Sequence, residues 1–400
     1  MGRGTTVSDR DPGGQARPAG FGVFRTPEDP RVRRVGWRTT GGVIDLGALA
    51  AARAPSLASY LGVGRLDPLL AAGRPVWDQV LDAVLTWEDD ADRVPLERVD
   101  PVLGFTVADY VDFYASEHHA ARVSGLFRPG APPLPEAWKH LPIGYHGRAG
   151  SIVVSDTPVV RPRGQRRDPE GEIGVGPTRR LDLEAEVGFV VGVPSPPGHA
   201  VPMAALPDHV FGVCLVNDWS ARDIQAWEYV PLGPFLGKSF ATSVSPWIVP
   251  LALLDAARVA PPPRDPRPHS YLDDTGDEQQ WGLDLRMEVR LNGQVISRPP
   301  AATLYWTAAQ QLAHLTVNGA ALRAGDLYAS GTVSGPDESE RGCLLELTDN
   351  GARPIELADG TTRGFLEDGD EVVIGATAPA PGGGLLDLGE VRGRVTPSPG

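Results

Sequence analysis

Glycine and proline punctuate this chain throughout, 48 and 40 of them in 400 residues. Each interrupts regular structure. Glycine tolerates turn backbones that other residues resist, and proline lacks the amide proton that a helix or ladder needs. Such a chain is expected to fold as many short strands joined by turns, not as a helix bundle. Its length allows one large domain or two ordinary ones around a substantial core.

Several function classes are excluded early. The net charge of −14 comes without a basic stripe, which argues against nucleic acid and against anionic membrane surfaces as partners. The two cysteines, Cys214 and Cys343, sit in neither a disulfide framework nor a zinc-binding spacing. The first 20 residues are polar and rich in Gly and Arg, without the apolar stretch of a secretory signal. No apolar run approaches the length of a membrane span. These features lead us to expect a cytoplasmic protein acting on a small molecule.

Along the chain, residues 1–19 read as a disordered tail and 20–102 as a small N-terminal domain. The latter has strand-like pieces at Phe21–Phe24 and Gly42–Leu46 and helical stretches at Ala48–Tyr60 and Trp77–Trp87. Residues 103–400 read as a β-rich catalytic domain. Its strand-like segments are Ser151–Val154, Leu181–Val193, Val210–Val216, Arg286–Leu291, Gly342–Leu347 and Glu371–Ile374. Helices are expected at Val107–Val123, Ser220–Trp227 and Thr303–Leu315, and a surface loop at Arg258–Gln280. The fold class is therefore α+β, mainly β.

The segment Leu181 to Val187 alternates strictly, so Asp182, Glu184 and Glu186 would share one strand face. It is either an edge strand with one wet face or a set of buried carboxylates that a cation must pair. Asp218 ends the apolar strand Phe211–Val216 at a turn into a helix whose expected N-cap is Ser220. Asp112 is a third candidate. Oxygen ligands of this kind suit Mg2+ or Ca2+ better than Zn2+.

If the chain is helical from Asp112, His119 lies nearly two turns on and shares its face, while His118 diverges by about 100°. A lone histidine is also often structural. Arg222 and Gln225, three residues apart, share a helix face beyond Asp218 and are strong donors. Lys238, one of two lysines, lies in a Gly/Pro-rich apolar stretch. It belongs to no phosphate-binding loop, because Leu232 stands where the first glycine would be.

Four stretches carry a resemblance: Tyr145–Arg148, Asn217–Gln225, Trp227–Phe240 and Ser330–Pro336. Together they resemble the fumarylacetoacetate hydrolase family over about Phe21 to Ala376. The resemblance implies an SH3-like N-terminal domain followed by a β-sandwich-like roll, as a homodimer. It implies a divalent ion, Ca2+ and/or Mg2+, on Asp112, Glu184, Glu186 and Asp218, with Lys238 and Thr242 near a second, Mg2+-like site. It makes His119 the general base and Glu346 its partner, with Arg222, Gln225 and Lys238 as donors to the oxyanion and substrate. Tyr114, Arg128, Tyr145 and Thr332 match substrate-contacting positions.

The activity implied is hydrolysis of the carbon–carbon bond of 4-fumarylacetoacetate to fumarate and acetoacetate, the last step of tyrosine and phenylalanine (homogentisate) catabolism. The alternative on the same scaffold is hydrolysis, decarboxylation or isomerisation of a related oxo acid, or a non-catalytic binding protein. The His119/Glu346 pair discriminates among them.

Overall fold

The computed structural model describes residues 15–127, 130, 132–168, 170–276 and 280–399. The chain folds into short strands gathered in three principal sheets, of four, eight and six strands, with helices around them. It is a mixed, mostly β fold.

The four-stranded antiparallel sheet has the order Gly42–Asp45, Asp29–Thr39, Phe21–Thr26, Asp100–Val102, and four α-helical segments between residues 46 and 87 accompany it. This N-terminal unit shares its core with the rest of the chain. The Phe21 ring lies 5.7 Å and the Trp77 ring 5.4 Å from that of Phe211. Each such aromatic contributes on the order of 2–3 kcal/mol by burial.

The tail expected to be disordered through residue 19 is ordered at its end. Arg17–Pro18 pair in parallel with Leu386 and Asp387, and Ala19 is fully buried. Residues 1–14 lie outside the described residues.

The eight-stranded sheet positions the site. Its strands, in chain order, are β1 (Tyr110–Phe113), β2 (Gly144–His146), β3 (Ile152–Val154), β4 (Ala185–Val191), β5 (Val210–Asp218), β6 (Thr242–Val244), β7 (Val249–Pro250) and β8 (Leu327–Ala329). In space the order is β2-β1-β8-β4-β5-β6-β3, with β7 also on β5. Continuous apolar composition makes β4 and β5 buried on both faces. Helix α1 (Glu117–Phe127) follows β1 and α2 (Arg222–Glu228) follows β5.

Several expectations are corrected. The helix expected over Val107–Val123 is a strand at its start, because Tyr110, Val111 and Phe113 fill a fully buried slot between β8 and β2. The helix begins only after Ser116, whose Oγ accepts the amide proton of His119 at 3.3 Å. Asp112 is thus on a strand, and the shared helix face with His119 does not exist.

Ser220 is not an N-cap. It pairs with Asp182 in a short ribbon, its hydroxyl donates to the Asp218 carbonyl, and α2 starts at Arg222. That ribbon also splits the strand expected at Leu181–Val193. Every residue from Leu181 to Val191 is buried, so the wet-face reading is excluded. Gly342–Leu347, expected as a strand, carries a short helix at Leu344–Leu347. The helix expected from Thr303 starts at Ala308, because Thr307 and Gln310 form a capping box there. Among the described residues no helix is long and apolar enough to cross a membrane.

Candidate active site

Register brings the acidic residues to one end of the central sheet. Asp112 on β1 is opposite Ala329 and Tyr145, Glu186 on β4 is opposite Val216, and Asp218 on β5 is opposite Thr242. Two glycines let loops close over that end. Gly331 has φ +74°, and a Cβ there would lie 2.1 Å from the Phe113 carbonyl. A Cβ at Gly237 would lie 2.8 Å from the backbone of Gln225, so glycine lets the Lys238 loop lie against α2.

The charged side chains form one alternating, buried sequence. Arg222 Nε donates to Asp182 at 2.9 Å and Arg222 Nη1 reaches Glu184 at 2.7 Å. Lys238 Nζ bridges Glu184 and Asp218, the latter at 2.6 Å. Arg148 then bridges Asp218 at 2.7 Å and Asp112 at 2.9 Å. Glu186 stands apart. Both of its oxygens are buried without a hydrogen-bond partner among the described residues. Yet Glu186, Asp112 and Asp218 each offer an oxygen within 4.8 Å of the others.

With all five buried carboxylates ionised, as a bound cation requires, the three buried cations leave this cluster short of two positive charges, the charge of one divalent ion. Orphaned carboxylate oxygens, an all-oxygen donor set and that deficit fit a hard cation such as Ca2+ or Mg2+. Ionisation follows the same pattern. Burial, with Asp112 and Asp218 close by, pushes Glu186 well above the usual carboxylate range. Burial and Asp218 push Asp112 up to about 6. Burial works the same way on Glu184, but Lys238 and Arg222 outweigh it and hold that carboxyl low.

A cleft of about 510 Å3 opens onto this cluster. Of the residues singled out from sequence, Asp112, Tyr114, His119, Tyr145, Glu184, Arg222, Gln225, Lys238 and Thr332 line it. Glu186, Asp218, Thr242 and Glu346 lie behind that lining. Arg128 lies outside the described residues. Glu184 is not in the close trio, and Arg222 and Lys238 pair with its two oxygens. Thr242 Oγ1 donates to Asp218 at 2.7 Å.

His119 Nδ1 lies 2.7 Å from Glu346 Oε2. An Nδ1–H donor there leaves Nε2 as the basic nitrogen. Ser334 Oγ and Cys343 Sγ donate to the same Glu346 oxygen at 2.7 and 3.2 Å, and Arg122 reaches the other at 3.3 Å. Burial opposes ionisation of Glu346, but His119 and these donors bring its carboxyl down to about 2. Asp182 braces the whole site. It accepts from the amides of Leu344 and Leu345, at the start of the helix carrying Glu346, and from Arg222.

From sequence, Arg148, Ser334 and Cys343 have no role, and Asp182 has one only as a member of the acidic strand face that a cation could pair. Arg148 and Ser334 fall inside the resemblance motifs, and that was their only signal. Glu346 and Thr332 came from the resemblance alone.

The family profile described as "Fumarylacetoacetate (FAA) hydrolase C-terminal" matches residues 109–396. The chain belongs to the fumarylacetoacetate hydrolase family. Curated relatives agree over most of its length. It is 41% identical over 405 residues to the fumarylacetoacetase of Homo sapiens, covering 94% of this chain and 95% of that one. The fumarylacetoacetase of Bos taurus is 40% identical over 405 residues, with the same coverage. That of Rattus norvegicus is 47% identical over 303 residues, covering 73% and 71%. Among solved structures, a fumarylacetoacetate hydrolase from Exiguobacterium antarcticum superposes with a TM-score of 0.57 at 17% identity, covering 95% of this chain and 99% of that one. A maleylpyruvate hydrolase from Sphingobium sp. SYK-6 does so at 0.53 and 16%, covering 96% and 100%. At such identities these two likenesses speak for the fold alone.

Proposed function

We propose that this enzyme hydrolyses 4-fumarylacetoacetate to fumarate and acetoacetate. The observation that carries the reading is the His119–Glu346 pair facing a cleft whose floor is a carboxylate cluster short of two positive charges. Water adds to the carbonyl beside the alkene, and His119 Nε2 takes its proton, with Glu346 holding the ring and balancing the imidazolium. Arg222 Nη2, a buried N–H group without a partner among the described residues, is placed to donate to the resulting oxyanion together with the Gln225 amide. Lys238 already donates to Glu184 and Asp218, so its contribution is charge and position. The carbon–carbon bond then breaks, fumarate leaves with the added oxygen, and the departing enolate carbon takes a proton to become acetoacetate. A divalent ion on Asp112, Glu186 and Asp218, with Glu184 adjoining, would supply Lewis-acid polarisation of the diketone.

The reading extends to Ca2+ and/or Mg2+ as the ion, with Thr242 and Lys238 beside a second site. It makes the N-terminal unit, 20–102, SH3-like and 103–400 the catalytic domain. It places the enzyme at the last step of tyrosine and phenylalanine catabolism, in the cytoplasm, in keeping with two free thiols at Cys214 and Cys343. It makes the enzyme a homodimer. Exposed Leu232 on the cleft, with exposed Val230 and Phe235 near it in the chain, gives a second copy an apolar surface to cover. Decarboxylation or isomerisation of a related oxo acid is the disfavoured alternative, because neither needs the water-activating pair.

The test is the ultraviolet absorbance of the diketone with purified protein and Mg2+ or Ca2+. Loss of absorbance with one fumarate formed per substrate consumed supports the reading. Unchanged absorbance, or release of carbon dioxide, removes it.

A further inference from the structure

Of the three buried cations, Arg222 touches none of the close trio Asp112, Glu186 and Asp218, and Lys238 touches only Asp218. Arg148 alone among the described residues spans two of its members. Its placement is built in. The side chain is 5% exposed, and its guanidinium lies against the rings of Tyr110 and Tyr145, at 5.0 and 5.4 Å. It also donates to the Tyr145 hydroxyl at 2.9 Å and to Thr242 at 3.1 Å. The backbone of Arg148 is left-handed, φ 69° and ψ 9°, a conformation with a cost for a residue bearing a Cβ. A strained turn and two aromatic faces thus hold a permanent positive charge beside the proposed ion position.

We infer that Arg148 sets the valence of the cation this site accepts. The inference rests on the metal-site reading above. With Arg148 in place, the carboxylate cluster lacks two positive charges. Without it the deficit is three, and a trivalent ion becomes the better match. A unit charge about 4–6 Å away, at the effective dielectric of a protein site, changes the preference for one extra cation charge by roughly a hundredfold to a thousandfold, and counter-ions and side-chain relaxation reduce the part that is measured. Arg148 is therefore a specificity-determining residue that need not touch substrate.

The experiment uses the full chain stripped of metal, titrated with Ca2+ and with Tb3+, two oxygen-seeking ions of similar size. Calorimetry reads each affinity, and Tb3+ luminescence gives a second reading. Arg148→Gln is expected to raise the Tb3+/Ca2+ affinity ratio at least tenfold over the unaltered protein. Arg148→Lys, which keeps the charge, should stay within about threefold of it. Should Arg148→Gln fold only with an ion present, its melting temperatures in each ion report the same preference. A second variant, Glu184→Gln, removes one carboxylate and should move the ratio the other way. A ratio that stays put in Arg148→Gln while both ions bind overturns the inference, as does an equal shift in Arg148→Lys. If the unaltered protein binds neither ion, the metal-site reading fails, and this inference with it.

Discussion

His119 and Glu346, 227 residues apart in sequence, meet at 2.7 Å between Nδ1 and Oε2 in a fully enclosed contact. The carboxyl oxygen that takes the imidazole also takes Ser334 and Cys343, so the ring has one orientation available to it.

That contact separates the adjacent histidines. His119 is held by the Ser116 cap and by Glu346, with its ring edge-on to Tyr114 at 5.5 Å. His118 is one position away on α1 and only half-buried. His119→Ala is expected to lower kcat by about 10²–10⁴-fold. His118→Ala should cost less than about tenfold, near the small effect of an ordinary surface change. Steady-state kinetics at saturating divalent ion decide it, and the reverse ranking would refute the assignment of the base.

Glu346 also makes an acid-stability prediction. Its folded carboxyl is held down to about 2, against an ordinary value of 4.5. The unfolded chain therefore binds the proton more readily, and folded stability gains from the ionised form. That gain is complete above about pH 4.5 and fades as pH falls toward 2. Denaturant unfolding of wild type and Glu346→Gln should show a constant gap from pH 7 to 5 and a shrinking one below 4.5. A gap that widens on acidification contradicts the pairing.

Ion uptake should expel protons. Asp112 is pushed up to about 6 and Glu186 is well above its ordinary range, so both carry protons more readily than surface carboxyls. A divalent cation binds the ionised forms, so affinity should fall as pH drops from 7.5 to 5.5. Calorimetry in two buffers of different ionisation enthalpy counts the protons. Glu186→Gln should weaken binding, since an amide keeps an oxygen and loses the charge. Binding that releases no proton at any pH in this range counts against the assigned ligands.

Asp182 is expected to matter although it is not among the residues lining the active-site cleft. It accepts two amides of the Leu344–Leu347 helix and pairs with Arg222. Asp182→Asn leaves Arg222 without half of its buried counter-charge, and the loss should be about 3 kcal/mol. Because Asp182 braces both the Glu346 helix and Arg222, kcat should fall as well, by at least about tenfold. Denaturant melts together with kinetics test both. A variant as stable and active as wild type would show that the brace is dispensable.

Local chemistry in the sequence was enough to determine the turn-rich β architecture, the grouping of Glu184 and Glu186 in one short acidic segment, Asp218 at a strand end, and the donor face of Arg222 and Gln225. Each depends on residues near one another in the chain, where alternation, capping and apolar runs act directly. Whether that acidic segment is wet or buried was decided by the fold. The same reasoning failed at Asp112. Its stretch has a helical pattern, but burial between β8 and β2 makes it a strand, and propensity yields to such packing. Glu346 became a candidate only through a family resemblance. Its contact with His119, the bridge that Arg148 makes between Asp112 and Asp218, and the solitude of Glu186 were decided by tertiary structure alone. No local rule reaches across 227 residues. Only when the chain has excluded water does each carboxylate require either a cation at hydrogen-bond distance or an ion to replace it.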